Sequence, residues 1–302
     1  MAEVNSKIKI FLLLFLSLCP LGGEEVVRVA SFNLRNYLSC DRMVEGKWRP
    51  DYPKPEIEKK AARTIIRSVN PDILALQEMG DYPYLLELWM DLNSTGGPYY
   101  PHAVWMPNKG EGEIRHLAFL SKYPPVSIFK HTDVSFSYFD GTEKSGRGLL
   151  EVTFCPQNES FHIFNVHLKS MWTERKDDPQ ARVRREKEAR AMRDIIRKKY
   201  SIEGNTEYLI MGDFNDHKDS APLRRFTSVN DTVLSSLIPC FDSRGHLWTH
   251  YFKKQDSYSR IDYILANPAM ANRFIPKSGW IMDSEESKYA SDHRLIYADF
   301  SF

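Results

Sequence analysis

Tyr208-Leu209-Ile210-Met211-Gly212-Asp213-Phe214-Asn215-Asp216 decides how this sequence is read. It opens as an apolar run, the mark of a strand covered on both faces, and ends abruptly in polar residues. With a side-chain period of two, Asp213 and Asn215 project to one side and Phe214 anchors into the other. Carboxylate and carboxamide oxygens suit hard cations, and they also hold and polarise water. Taken alone, the segment favours a plainer reading, a strand end followed by an Asp/Asn turn. Other strands must end the same way to reverse that preference.

They do. Residues 26–33 read as a strand in which Val27, Val29, Ser31 and Asn33 share a face that turns polar at its end. Residues 72–77 read as a buried strand closed by Glu78, with Leu74, Leu76 and Glu78 on one face. Residues 161–168 alternate and place Asn165 and His167 with Phe161 and Ile163. Asp262 lies among apolar neighbours in residues 259–265, and a buried acid needs a partner. Ala290-Ser291-Asp292-His293 opens onto a closing strand, residues 295–300. Singly, each residue has a bland explanation: an isolated Asn is a turn residue, and a lone His on an apolar strand is a satisfied core residue. The recurrence at strand ends is the informative feature. Strand ends gathered on one rim make an acidic cleft with two histidines, suited to holding a divalent metal and activating water.

The intervening segments supply the scaffold. Residues 55–69 carry an amphipathic helical stripe (Ile57, Ala61, Ile65, Ile66, Val69) that Asn70-Pro71 ends. Residues 85–92 and 179–200 read as further helices, the latter with Arg182, Arg184, Arg185 and Arg190 as a solvated face. Strands over 99–105, 114–121 and 126–131 follow one another without helices, which implies antiparallel pairing. Gly146-Arg147-Gly148 leads into a strand over 149–154, and Arg147 either meets a phosphate or caps a turn. Residues 38–55 read as a loop whose Arg42, Lys47, Trp48, Arg49 and Lys54 form a solvated surface or line a substrate groove. The aromatic-rich residues 246–252 read as a surface loop or a short strand.

Composition bounds the rest. The chain has 302 residues, 27% of them charged, which accommodates one large α/β domain. A formal net charge of +1 excludes a global basic field, so a polyanion would be held by a local patch. Lys7 and Lys9 precede an apolar run too short to span a bilayer, and small residues follow at Gly22 and Gly23. Residues 1–23 are therefore expected to be a signal peptide, leaving a secreted or periplasmic domain over 24–302. An uncleaved leader, or lipidation at Cys19, would anchor the chain to a membrane. Cys40, Cys155 and Cys240 lack metal-ligand spacing; one disulfide is compatible with export, and nothing selects the pair.

Six ordered segments resemble the endonuclease/exonuclease/phosphatase superfamily. They are Ser31-Phe32-Asn33, the run from Pro71 to Gln77-Glu78, Asn165-Val166-His167-Leu168, Gly212-Asp213-Phe214-Asn215, Arg260-Ile261-Asp262-Tyr263-Ile264 and Ser291-Asp292-His293. The resemblance implies an α/β fold, a four-layer α/β/β/α sandwich of two mixed sheets flanked by helices, with the site at one edge. It implies Glu78 as principal ligand to Mg²⁺ or Mn²⁺, with Asn33 and Asp292 as auxiliary ligands. It implies Asp213 as the residue that orients or deprotonates water, and Asn215 as a partner of that water or of the phosphoryl oxygen. His293, oriented by Asp262, contacts the phosphate or acts as the base; His167 binds phosphate or assists the leaving group; Arg147 is a further substrate contact.

The implied activity is metal-dependent phosphodiester hydrolysis, with nucleic acid as the first substrate class. Alternatives are a small-molecule or lipid phosphoester, such as an inositol phosphate or a sphingomyelin-like substrate, and a non-catalytic binding module on the same fold. No stable protein partner is expected.

Overall fold

The apolar runs assemble into two six-stranded sheets. The computed structural model describes residues 24–94, 96–108, 110, 112–200 and 205–302, so the expected leader and Cys19 lie outside the described residues. The first sheet has the order Trp280–Ile281, Ile296–Ser301, Val26–Tyr37, Ile73–Met79, His116–Ser121, His102–Met106. The second has the order Ser236–Leu237, Asp262–Ala266, Glu207–Asp213, Phe161–His167, Leu149–Phe154, Ser127–His131. Both are mixed, and each has one parallel pair near its centre. Val26–Tyr37 runs parallel to Ile73–Met79, and Phe161–His167 runs parallel to Glu207–Asp213; their other neighbours are antiparallel.

Period-two alternation explains the layering. Val27, Val29, Ile73 and Ala75 from one sheet meet Val152, Ile163, Leu209 and Met211 from the other in a shared core. The outward residues of the first sheet, Ala30, Phe32, Leu74 and Leu76, pack on Ile65, Ile66, Leu85 and Leu88 of the helices Glu56–Val69 and Tyr82–Ser94. Phe164, Val166 and Ile210 of the second sheet pack on Ala189, Met192 and Ile196 of the helix Arg182–Lys199. These contacts make the expected four-layer α/β/β/α sandwich. Glu56 and Glu58 in the first turn complement the dipole of their helix. Asn70, in the left-handed region at φ 50°, closes it by donating its N–H to Ile66 O.

Two expectations change. Residues 38–55 are not an irregular loop: Cys40–Val44 and Lys47–Tyr52 pair as an antiparallel hairpin. Its turn residues Glu45 and Gly46 both have positive φ, the geometry that matches strand twist. Neither strand faces a core, so no apolar alternation announced them; Met43 and Trp48 pair across the hairpin and are exposed. Arg185 does not share a solvated face. It is buried, donates from Nε to Asp216 Oδ2 at 2.9 Å, and also binds the carbonyls of Lys169 and Gln180. Cys40, Cys155 and Cys240 are all free thiols.

The ends of the described chain lie together. Glu25 N–H donates to Phe302 O at 2.8 Å, and Phe302 N–H donates back to Glu25 O at 2.9 Å. Among the described residues no helix is long and apolar enough to cross a membrane.

Candidate active site at the sheet rim

The two parallel pairs finish at the same rim. His167 and Asp213 are register partners at the ends of their strands, and Asp262 pairs with Asp213 from the antiparallel neighbour. Asn33 and Gln77 are register partners in the first sheet, one residue before Glu78. Asn33 Nδ2 donates to Asp213 Oδ2 at 3.0 Å, which joins the sheets at the site. Deeper in, Asn165 does the same: its Nδ2 donates to Leu76 O and Ala118 O, while its Oδ1 accepts from Gln77 Nε2 at 2.8 Å.

Asp213 owes its position to Gly212. At φ 137° a side chain is strained, and a Cβ there would fall 2.0 Å from Val166 O. Beyond Asp213 the strand geometry stops. Asn215 has φ 52°, and its N–H donates to Asp213 Oδ1 at 2.8 Å. Asn215 Nδ2 nevertheless reaches Asp213 Oδ2 at 3.1 Å, so the turn brings together the two side chains that a continued strand was expected to align. Phe214 anchors the other side against Phe226 and Tyr263.

Glu78 reaches the rim by a different route from the one expected. Strict alternation would leave it with Leu74 and Leu76, toward the helices. A register irregularity after Leu76 and a φ of 56° at Glu78 break the alternation, and Met79 takes the helix-facing position instead. The Glu78 carboxylate then accepts from Asn36 N–H at 2.8 Å and lies 3.9 Å from His167 Nε2.

Asp292 and His293 are fastened by Ser291. Its hydroxyl donates to Asn33 O at 2.8 Å and accepts from His293 N–H at 3.0 Å. His293 Nδ1 faces Asp262 Oδ2 at 2.9 Å, leaving Nε2 3.9 Å from Asp213 Oδ2. Asp262 is in turn held by the buried Thr249, whose Oγ1 accepts from the N–H groups of Ile261 and Asp262.

Burial and charge separate the protonation states. Burial pushes Asp213 up to about 7; His293 opposes this, while Asp262 and Glu78 add to it. Burial disfavours a charged His293, but Asp262 and Asp213 outweigh it and lift the group to about 10. His167 is held well below its ordinary value by burial, then by Arg147 and Arg115, so it is neutral. Burial works against ionised Asp292, yet His293, Arg35 and His250 keep it below its ordinary value. The rim can therefore offer a proton acceptor near neutral pH beside a fixed imidazolium.

The donor chemistry fits a hard divalent cation, because carboxylate and carboxamide oxygens dominate the rim. Two groups of side chains converge within 4.8 Å, Asp213–Asp262–His293 and His250–Asp292–His293; His293, as an imidazolium, has no lone pair for a cation, so the carboxylates and His250 carry the donor atoms. Of the expected ligands, Asn33 and Glu78 come from paired central strands, and Asp292 joins the second group. Arg147 is buried; its guanidinium donates to Leu168 O at 3.1 Å and pairs with Glu113 at 2.9 Å. Thr249, His250, Arg115 and Glu113 were not singled out from sequence. Thr249 and His250 sit in an aromatic-rich segment, Glu113 just before the expected strand 114–121 and Arg115 within it, in residues that the structure leaves irregular ahead of His116–Ser121. No apolar strand ends at any of them, so the strand-end pattern passes over all four.

Residues 30–293 match the family model described as Endonuclease/Exonuclease/phosphatase family. Similar solved structures include a Staphylococcus aureus beta toxin double mutant with bound magnesium ions (TM-score 0.59, 17% identity, covering 91% of this chain and 99% of that one). An endonuclease/exonuclease/phosphatase family protein from Bacteroides thetaiotaomicron is similar at TM-score 0.63 and 17% identity, covering 93% and 96%. Sphingomyelinase C from Streptomyces griseocarneus is similar at TM-score 0.58 and 16% identity, covering 91% and 99%. No curated protein matches the sequence.

Proposed function

Since the chain belongs to the endonuclease/exonuclease/phosphatase family, and is thus a phosphoester hydrolase, we propose that it cleaves phosphodiester bonds in nucleic acid with a divalent metal, Mg²⁺ or Mn²⁺. The observation that carries this reading is the convergence of Asp213, Asn215, His167 and the Asp262–His293 pair on one rim, beside Glu78. Asn33, Glu78 and Asp292 would hold the cation, which when bound neutralises phosphoryl charge as a Lewis acid. Asp213 accepts the proton of the attacking water, and Asn215, whose Nδ2 is committed to Leu168 O and Asp213 Oδ2, orients that water through Oδ1. His293, kept charged by Asp262, donates to a non-bridging oxygen. Neutral His167 faces the leaving oxygen. Arg115, Arg147 and Lys169 supply local positive charge, and exposed Trp48 and Trp172 offer stacking faces for bases.

A second reading, a lipid or small-molecule phosphodiester, draws on the exposed Met43–Trp48 pair and the formal net charge of +1. We also propose export, with residues 1–23 removed and 24–302 forming one catalytic domain; the N-terminal sequence of protein recovered outside the expressing cells tests this.

The deciding experiment offers plasmid, single-stranded DNA, RNA, sphingomyelin vesicles, inositol phosphates and a generic diester. Each is run with Mg²⁺, with chelator, and with Glu78→Gln as control. Cleavage of nucleic acid that chelator and Glu78→Gln both abolish supports the first reading. Preferential hydrolysis of sphingomyelin moves the assignment to the second. No turnover of any diester would reduce the chain to a binding module.

A further inference from the structure

Glu113 is held in an unusual way for a residue in an irregular segment beside an active site. Its Oε1 accepts from Arg115 Nη1 at 3.0 Å, and its Oε2 lies 2.9 Å from Arg147 Nε. The carboxylate thus bridges two guanidinium groups. Arg115 donates from Nε to Asn36 Oδ1 at 2.8 Å and lies 3.8 Å from Glu78 Oε2. Arg147 lies on the other side, bound to Leu168 O next to His167. Glu78, beside Arg115, also lies 3.9 Å from His167 Nε2, so both arginines sit on the His167 side of the rim.

The match between Glu113 and this pair is incomplete. Arg147 Nε is buried and makes no hydrogen bond, because its N–H does not point at the nearby carboxylate oxygen. Glu78 is a second carboxylate near Arg115, but Glu113 is the one that spans both guanidinium groups. The segment seats on its neighbour through backbone: a Cβ on Gly110 would fall 2.7 Å from Gly146 Cα, so glycines meet there without interlocking side chains. Guanidinium forks suit oxyanions with several oxygens better than a single, misaligned carboxylate.

We propose that Arg115 and Arg147 form an anion subsite beside His167, that Glu113 occupies it from within the chain, and that its ligand is a phosphate oxyanion. This rests on the phosphodiester reading above. The oxyanion has two sources, a phosphate flanking the scissile bond in a polyanionic substrate or a released phosphate product. In either case the ligand displaces Glu113 and takes over its two arginines, so affinity is the difference between two anions competing for one place.

The test is calorimetric titration of the full-length protein with inorganic phosphate, with and without Mg²⁺. Glu113→Gln is expected to bind phosphate about tenfold more tightly than the wild type, and adding Arg115→Gln should erase that gain. Equal affinity in wild type and Glu113→Gln, with unchanged melting temperature, would overturn the proposal and make Glu113 a structural clamp. Should Glu113→Gln fail to fold, Glu113→Asp retracts the carboxylate while keeping its charge; about threefold tighter binding supports the subsite, and unchanged binding refutes it. Two dinucleotides, with and without a terminal phosphate, separate the sources. A flanking role raises kcat/KM in Glu113→Gln for the phosphorylated one alone, whereas a product role strengthens phosphate inhibition on both. Phosphate binding is read without turnover, so the two readings fail separately. Tighter phosphate binding with no diester cleaved removes the proposed function and keeps the subsite. Diester cleavage with unchanged phosphate binding does the reverse.

Discussion

Asp213 and His293 share one buried corner, and their protons set two different pH dependences. Asp213 ordinarily titrates at 3.8 and is lifted to about 7, so its proton-accepting form grows as pH rises through neutrality. We expect kcat/KM on a diester to rise over that range. Asp213→Asn should remove the rising limb and lower turnover by about 10²- to 10⁴-fold, the range for loss of a general base. His293 adds a pH-dependent contribution to stability. Its ordinary value is 6.5 and its folded value about 10. The folded state therefore keeps a proton that the unfolded state has already released. That contribution is complete below pH 6.5 and disappears as pH climbs toward 10. Melting temperature, measured across pH 6 to 10, should decline more steeply in the wild type than in His293→Ala.

At the scale of the element, a strand's last side chain is placed by its strand's path. Asp213 was readable from sequence because a strand covered on both faces has a continuous apolar run, and a polar residue closing it stands out; Asn33 and His167 were readable as polar residues late in alternating faces, although the first strand continues past Asn33 to Tyr37. The side that Glu78 faces could not be read, because it depends on a bulge that shifts the alternation after Leu76. The hairpin of residues 40–52 was equally opaque, since its pairing relies on backbone bonds and two left-handed turn residues instead of burial. Arg185 misled because a charged residue is normally solvated, and only the fold supplies its partner Asp216. Gly212 tests this level directly. Gly212→Ala must move either its own backbone or Val166, and we expect a loss of about 3 kcal/mol or more in urea unfolding. Activity of the remaining folded fraction should also fall, because Asp213 is the next residue.

The whole molecule is two sheets whose interface turns from apolar to polar toward one rim. Asn165 sits at that change, fully buried, and satisfies the carbonyls of Leu76 and Ala118 across the sheet boundary. Asn165→Ala strands those carbonyls in a place closed to water. We expect about 2–4 kcal/mol of destabilisation by denaturant titration, most of it the cost of unpaired buried acceptors. Charge acts at the same scale. With a formal net charge of +1, the protein has only local cations to offer a polyanion. If Arg115, Arg147 and Lys169 each meet a phosphate, the slope of log K against log salt for DNA binding should be about −3. A slope near zero would argue for an uncharged surface as the docking element.

The pairing of Glu25 with Phe302 has a practical meaning for handling this protein. The first strand carries the chain from Val26, beside that pairing, to Asn33 at the candidate site, roughly 23 Å away at the usual rise per residue. Both ends of the described chain therefore share one pole of the molecule, and the candidate site occupies the other. In a protein trimmed to residues 24–302, a tag, a surface linkage or a fused protein attached at either end leaves the candidate site facing outward. A short peptide joining the two ends of that trimmed chain would close it into a ring without passing near the candidate site.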